Sequence, residues 1–269
     1  MLKSLTAVSM LLAATLCAAA QPAPSPEVVK DLAPTGKLRA AINFGNAVLA
    51  QKAADGTPAG ISADLSRELA KRLNVPVEFV TFEAAGKVFE AAAQGAWDVG
   101  FVAIEPVRAT AIEFTAPYVI IDGTYMVAKD SPLKEVGDVD KPGIRIAVGL
   151  NSAYDLYLTR TIKNATIVRA KIGGGKAMIE TWVNDKLEVA AGVRQQLEAY
   201  AKDHPEVRIM SGAFQQIQQA MGMPKKEGQP KTAGVAYLKA FVEDMKASGF
   251  VADALKRSNQ PDATVAPPA

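Results

Sequence analysis

Residues 38–80 read LRAAINFGNAVLAQKAADGTPAGISADLSRELAKRLNVPVEFV. Leu38-Arg39-Ala40-Ala41-Ile42 suits a strand, and Val77 to Val80 suits a second. Between them Leu65, Leu69 and Leu73 recur at the spacing of one helix face, and Ser62 stands where an N-cap would. Lys87 to Gln94 continues as a helix stopped at Gly95, and Asp98 to Ala103 as an apolar strand. The order β-α-β-α-β predicts helices on a largely parallel sheet, an α/β fold.

The pattern then repeats. Thr124 to Ala128 and Ile144 to Val148 read as strands, and Ser152 caps a helix over Ala153 to Lys163. Thr166 to Arg169 is a strand, and Gly173-Gly174-Gly175 turns into a helix over Lys176 to Asp185. Leu187 to Ala191 and Val207 to Met210 are strands around a helix from Gln195 to Lys202. Gln216 to Met223 is a further strand, and helices over Ala233 to Ser248 and Phe250 to Ser258 follow. Two α/β units predict two lobes. Residues 21–35, rich in Pro and Ala, are expected to form a flexible leader, and residues 261–269 a disordered tail.

The chain start indicates export. Met1-Leu2-Lys3 is a short positive segment, and Leu5 to Leu16 is mostly apolar but too short to cross a bilayer of about 30 Å. Ala18 and Ala20 supply small residues before a cut at Gln21, which reads as a signal peptide over residues 1–20. The single cysteine, Cys17, follows Leu16 rather than a small residue, which argues against lipidation. The remaining chain of about 249 residues has no cysteine, hence no disulfide and no thiol site, as suits a periplasm. Thirty basic residues against 28 acidic ones, with no basic stripe, argue against nucleic acid as a partner. No second long apolar run is present, so no membrane insertion is expected.

In such folds a ligand sits beyond the carboxyl ends of the strands. The strand-end residues are Asn43, Phe44 and Asn46; Phe82 and Glu83; Ile104 to Arg108; Gly149 to Ser152; and Gly192 to Arg194. Arg108 carries a planar fork that matches a carboxylate in a bidentate way. It reads equally well as a surface partner of Glu105 or Glu113. Ser152 caps a helix whose free N–H groups can also hold an anion. Arg194 is either a second cation of the cleft or a solvated residue at a helix start. Phe44 and Tyr118 could wall a pocket or belong to the core.

Catalytic and metal signatures are lacking. His204, the single histidine, reads as an exposed helix end, so neither a Ser-His-Asp triad nor a His-based zinc site is expected, and no cofactor is predicted. The triple glycine at 173–175 lacks phosphate-loop spacing.

Four segments together resemble a known family. Gly60-Ile61-Ser62-Ala63-Asp64-Leu65 resembles its Gly-Phe-Asp-x-Asp-Leu helix start, and Gly95-Ala96-Trp97-Asp98 its Gly-x-x-Asp turn. Arg108 followed by Phe114-Thr115-Ala116-Pro117-Tyr118 resembles its Arg and Phe-Ser-x-Pro-Tyr. Lys141 to Val148 resembles the start of its second lobe. The family is the type II periplasmic solute-binding proteins, extracellular family 3, the polar amino-acid ABC-transporter receptors. The resemblance implies two lobes, about 36–122 with 215–260 and about 123–214, joined by crossings near Ile121 to Tyr125 and Ser211 to Gln216. It implies a monomer that delivers a small carboxylate ligand to an ABC-transporter permease. Arg108 matches the arginine that grips an α-carboxylate, and Ser152 a hydroxyl that helps.

Two departures stand out. The loop from Asp98 to Arg108 is about two residues shorter than in typical members. The family's ammonium-binding aspartate falls near Val193, where Gly192-Val193-Arg194 offers no carboxylate. An unpaired buried ammonium is costly, so the expected ligand is an organic acid, a dicarboxylate or a keto acid, rather than an amino acid. The alternatives are a periplasmic accessory or sensor protein on the same fold, and a cyclohexadienyl dehydratase-like lyase using Glu83 or Glu105 as general acid.

Overall fold

The computed structural model describes residues 23–225, 228, 230–260 and 262–269. The signal peptide read at residues 1–20 lies outside them. Helix α1 (Pro26–Leu32) opens the chain, with Ser25 as its N-cap and Pro26 at its first position, where a missing N–H costs nothing. Leu32 is fully buried and packs with Leu238 and Phe241 of a later helix. Within the segment read as a flexible leader, residues 26–32 therefore form a packed helix: Val28 and Leu32 are worth more buried than solvated.

Strand β1 (Leu38–Asn43) is followed by a small hairpin, β2 (Gln51–Lys52) and β3 (Pro58–Ala59). Helix α2 (Ile61–Leu73) starts two residues earlier than an N-cap at Ser62 would give. Gly60 occupies the cap at φ 92°, and Ser62 is buried inside the first turn. Then come β4 (Val77–Phe82), α3 (Ala85–Ala92), β5 (Val99–Ala103), α4 (Pro106–Ala109) and the long β6 (Ile112–Ala128). The second unit is β7 (Arg145–Val148), α5 (Ala153–Thr161), β8 (Thr166–Arg169), α6 (Gly175–Asn184), β9 (Val189–Val193), α7 (Arg194–Asp203) and β10 (Val207–Ile209). The chain returns along β11 (Gln215–Pro224) and closes with α8 (Thr232–Ala247), α9 (Phe250–Arg257) and β12 (Thr264–Val265). The tail read as disordered thus contributes a strand that pairs with Ile120 and Val119 of β6 and buries Ala263 and Ala266.

The sheet order is β4-β1-β5-β11-β6-β9-β7-β8. Two parallel triplets flank the antiparallel pair β11 and β6. The fold is a two-lobed α/β fold. β6 serves both lobes: residues 112–123 pair with β11, and 123–127 with β9. Gly123 sits at the change of partner. Each lobe has its own apolar core. Leu38, Ile61, Leu65, Phe101 and Phe241 pack in the first, and Tyr125, Ile146, Val148 and Leu158 in the second. Tyr118 is fully buried in the first core, edge-on to Phe101, so it is a core residue rather than a pocket wall.

Candidate functional site

The carboxyl ends of β1 and β5 face the start of α5 and the turn before α6. A cavity of about 40 Å3 lies between them. From the first lobe it is lined by Asn43, Gly45, Asn46, Ala103, Arg108 and Gln219, among others. From the second it is lined by Ser152, Tyr154, Gly174, Val193 and Gln196.

Arg108 is the charged centre. Pro106 starts α4 immediately after β5, and the short helix folds the guanidinium inward. Arg108 is 1% exposed, so it is not a surface partner of Glu113. Its Nη1 donates to Ala103 O at 3.1 Å, and its Nη2 donates across the cleft to Asn151 O at 2.9 Å. Burial pulls its pKa down to about 10, against the stabilising charge of Glu105. It remains a cation at neutral pH, with direct bonds only to carbonyl oxygens. A guanidinium has five N–H donors, and two are engaged here.

Glu105 is also 1% exposed, but its carboxylate is directed elsewhere. Oε2 pairs with Arg160 of α5 at 2.6 Å, and Oε1 accepts from Gln215 Nε2 at 3.0 Å. Glu105 therefore ties the lobes together and does not line the cavity. Glu83, the other acid considered, is exposed and paired with Lys52 at 3.2 Å.

Ser152 caps α5 and accepts from Asp155 N at 3.0 Å. Ser152→Ala is expected to lower stability by about 1 kcal/mol, as loss of an N-cap does, read by chemical denaturation. Tyr154 follows, fully buried, with its hydroxyl making no well-formed hydrogen bond. Burial pushes that phenol up to about 12. Asn43 Oδ1 accepts from Gly45 N at 3.0 Å, and Asn46 Oδ1 accepts from Val48 N at 3.2 Å.

Besides Glu83 and Glu105, three further residues picked out by strand position, Arg194, Phe44 and Phe82, lie off the cavity. Arg194 is turned to Asp122 at 3.4 Å, to Glu198 at 3.8 Å and to Gly212 O, bracing the crossing between lobes. Residues two apart on a helix diverge by about 200°, so Arg194 and the cavity-lining Gln196 point to different sides of α7. Phe44 lies under Lys52 Nζ, 4.8 Å from its ring centre, and Phe82 packs with the Ala41 and Val88 cluster. Gln196, Gln219 and Tyr154 line the cavity without having been singled out from the sequence.

The lobes meet closely. Gln196 Nε2 donates to Gly45 O at 3.2 Å. A Cβ on Gly173 would stand 2.6 Å from Ala84 Cβ, and one on Gly86 would stand 2.7 Å from Asn151 Cβ. Gly86→Ala is thus expected to act in two directions. It favours helix α3 by up to about 1 kcal/mol yet obstructs the closed lobes at a cost of about 1–3 kcal/mol. Weaker ligand binding and a larger radius of gyration in X-ray scattering are the expected readings.

Among the described residues no group of three His, Cys, Asp or Glu could hold a metal ion. His204 is half-buried, stacked on Tyr200 and bonded to Glu206 at 2.9 Å. No helix of the described residues is long and apolar enough to cross a membrane.

Residues 38–258 match the bacterial extracellular solute-binding proteins, family 3. Among solved structures, a mutant of ArgBP from T. maritima is 18% identical, with a TM-score of 0.71 over 86% of this chain and 99% of its own. AbpA, an amino acid ABC transporter substrate-binding protein from Streptococcus pneumoniae bound to L-arginine, is 19% identical (TM-score 0.69, covering 84% and 98%). An ancestral amino acid-binding protein described as a precursor of cyclohexadienyl dehydratase is 21% identical (TM-score 0.69, covering 85% and 97%). At these identities the solved structures speak for the fold.

Proposed function

The chain belongs to the bacterial extracellular solute-binding proteins of family 3, and from that premise we propose that it captures a small carboxylate-bearing solute between its lobes for an ABC-transporter permease. The observation that carries this reading is Arg108: a buried guanidinium at the junction of both lobes, bonded only to carbonyls, with three N–H donors left for an anion. Lobe closure over such a ligand brings Asn43, Asn46 and Ser152 within its reach. The chain acts in the periplasm as a monomer, after removal of residues 1–20.

Binding without turnover fits the acids better than lyase chemistry does. A general acid must reach the reacting group, and neither Glu83 nor Glu105 lines the cavity.

A thermal-shift screen of the processed chain tests the role. A solute at a hundredfold excess over its dissociation constant adds about 2.7 kcal/mol of stability. Carboxylates should raise the melting temperature, and amides of the same acids should not. A screen in which no carboxylate shifts the melting temperature contradicts the proposal.

A further inference from the structure

Resting on the reading that Arg108 receives a carboxylate, we propose that the solute is a monocarboxylate of two or three carbons, bearing a hydroxyl or keto oxygen and no ammonium group.

The lining is rich in donors. Asn43 and Asn46 each give one lone pair of the amide oxygen to a backbone N–H, of Gly45 and Val48, and keep both N–H donors for a ligand. Ser152 Oγ accepts from Asp155 N and keeps its own O–H. Arg108 adds its unengaged N–H groups. A ligand for this set is one whose oxygens accept. An ammonium has three donors and no acceptor, and it would meet donors.

No carboxylate among the described residues lines the cavity to compensate an ammonium charge. Glu105 is committed to Arg160 and Gln215. The amide oxygens of Gln196 and Gln219, which accept no hydrogen bond from the described residues, can take the proton of a hydroxyl. A neutral amide does not offset a buried positive charge.

The charge count also sets the ligand's valence. Arg108 is the one cation in the lining among the described residues, because Arg194 is turned to Asp122, Glu198 and Gly212. A dicarboxylate would bury a second anion without a partner. Size points the same way. A cavity of about 40 Å3 holds about three waters, and a chain of about five or six bonded non-hydrogen atoms fills the same space.

Isosteric pairs isolate the ammonium group. Calorimetric titration of the processed chain would compare glycolate with glycine, lactate and pyruvate with alanine, and all of these with succinate and arginine. Glycolate or lactate is expected to bind at least about thirtyfold more tightly than its amino counterpart, and succinate and arginine more weakly still. Arg108→Ala is expected to weaken the binding on the order of 100-fold. Glycine or alanine binding as tightly as its partner, or tighter binding of succinate or arginine, overturns the substrate class; if Arg108→Ala still removes that binding, the carboxylate-capture reading survives. Failure of every acid and amino acid to bind, or binding indifferent to Arg108→Ala, overturns both.

Discussion

Replacing Arg108 with alanine is expected to weaken carboxylate binding on the order of 100-fold, with the fold retained. Hydrogen bonds between charged groups contribute about 1.5–3 kcal/mol each, and a tenfold change in affinity corresponds to about 1.4 kcal/mol. A bidentate pair lost in a buried site therefore amounts to about 3 kcal/mol or more. Stability of the free protein should change far less. Alanine strands the carbonyls of Ala103 and Asn151, but it also removes a cation whose desolvation disfavours the charged form. Arg108→Lys keeps the charge without the fork and should lose about tenfold. Titration calorimetry with denaturation curves on the same samples separates binding from folding. A variant that binds like the parent would remove Arg108 from the site.

The second large effect concerns the tie between lobes. Arg160→Ala leaves the Glu105 carboxylate, 1% exposed, with Gln215 and the field of Arg108 in place of its ion pair. Breaking a fully buried pair costs about 3–5 kcal/mol. Arg160 is itself 43% exposed, so about 2–3 kcal/mol is the expected bias toward lobes that part and let water reach Glu105. Scattering should show an expanded free protein, and ligand affinity should fall because binding must first close the lobes. Adding Glu105→Gln to Arg160→Ala removes the unpaired charge and should restore much of the compactness. Unchanged scattering for Arg160→Ala would show that the ion pair does not hold the lobes.

Much of this architecture is legible in residue order. The leucines at 65, 69 and 73 announce α2, and the apolar run Val99 to Ala103 announces β5. The first half of β6 is hidden because Pro117 reads as a strand breaker. In the fold it sits beside a register shift against Ala220, where an N–H is dispensable. Helix α1 is hidden by proline-rich composition, although Ser25 followed by Pro26 is a helix-start signature. At the site, strand-end position was enough to gather Asn43, Asn46, Arg108 and Ser152. It could not find Gln219, which lies within β11 and reaches the cavity only because β11 is inserted beside β5. Nor could it orient α7, where burial of Leu197 sets which side faces the cleft. For that reason the sequence leaves Arg194 open between the cleft and the helix surface: its nearest charges, Asp122 and Glu198, are supplied by the β6 crossing and the next helical turn.

Carboxylate capture by Arg108 is decided by a crystal structure of the processed chain grown with glycolate, which should show the carboxylate on the Arg108 guanidinium, enclosed by both lobes, with Asn43, Asn46 and Ser152 donating to its oxygens. A closed cleft in which Arg108 keeps Asn151 O as its partner while the acid binds elsewhere, or not at all, would contradict it.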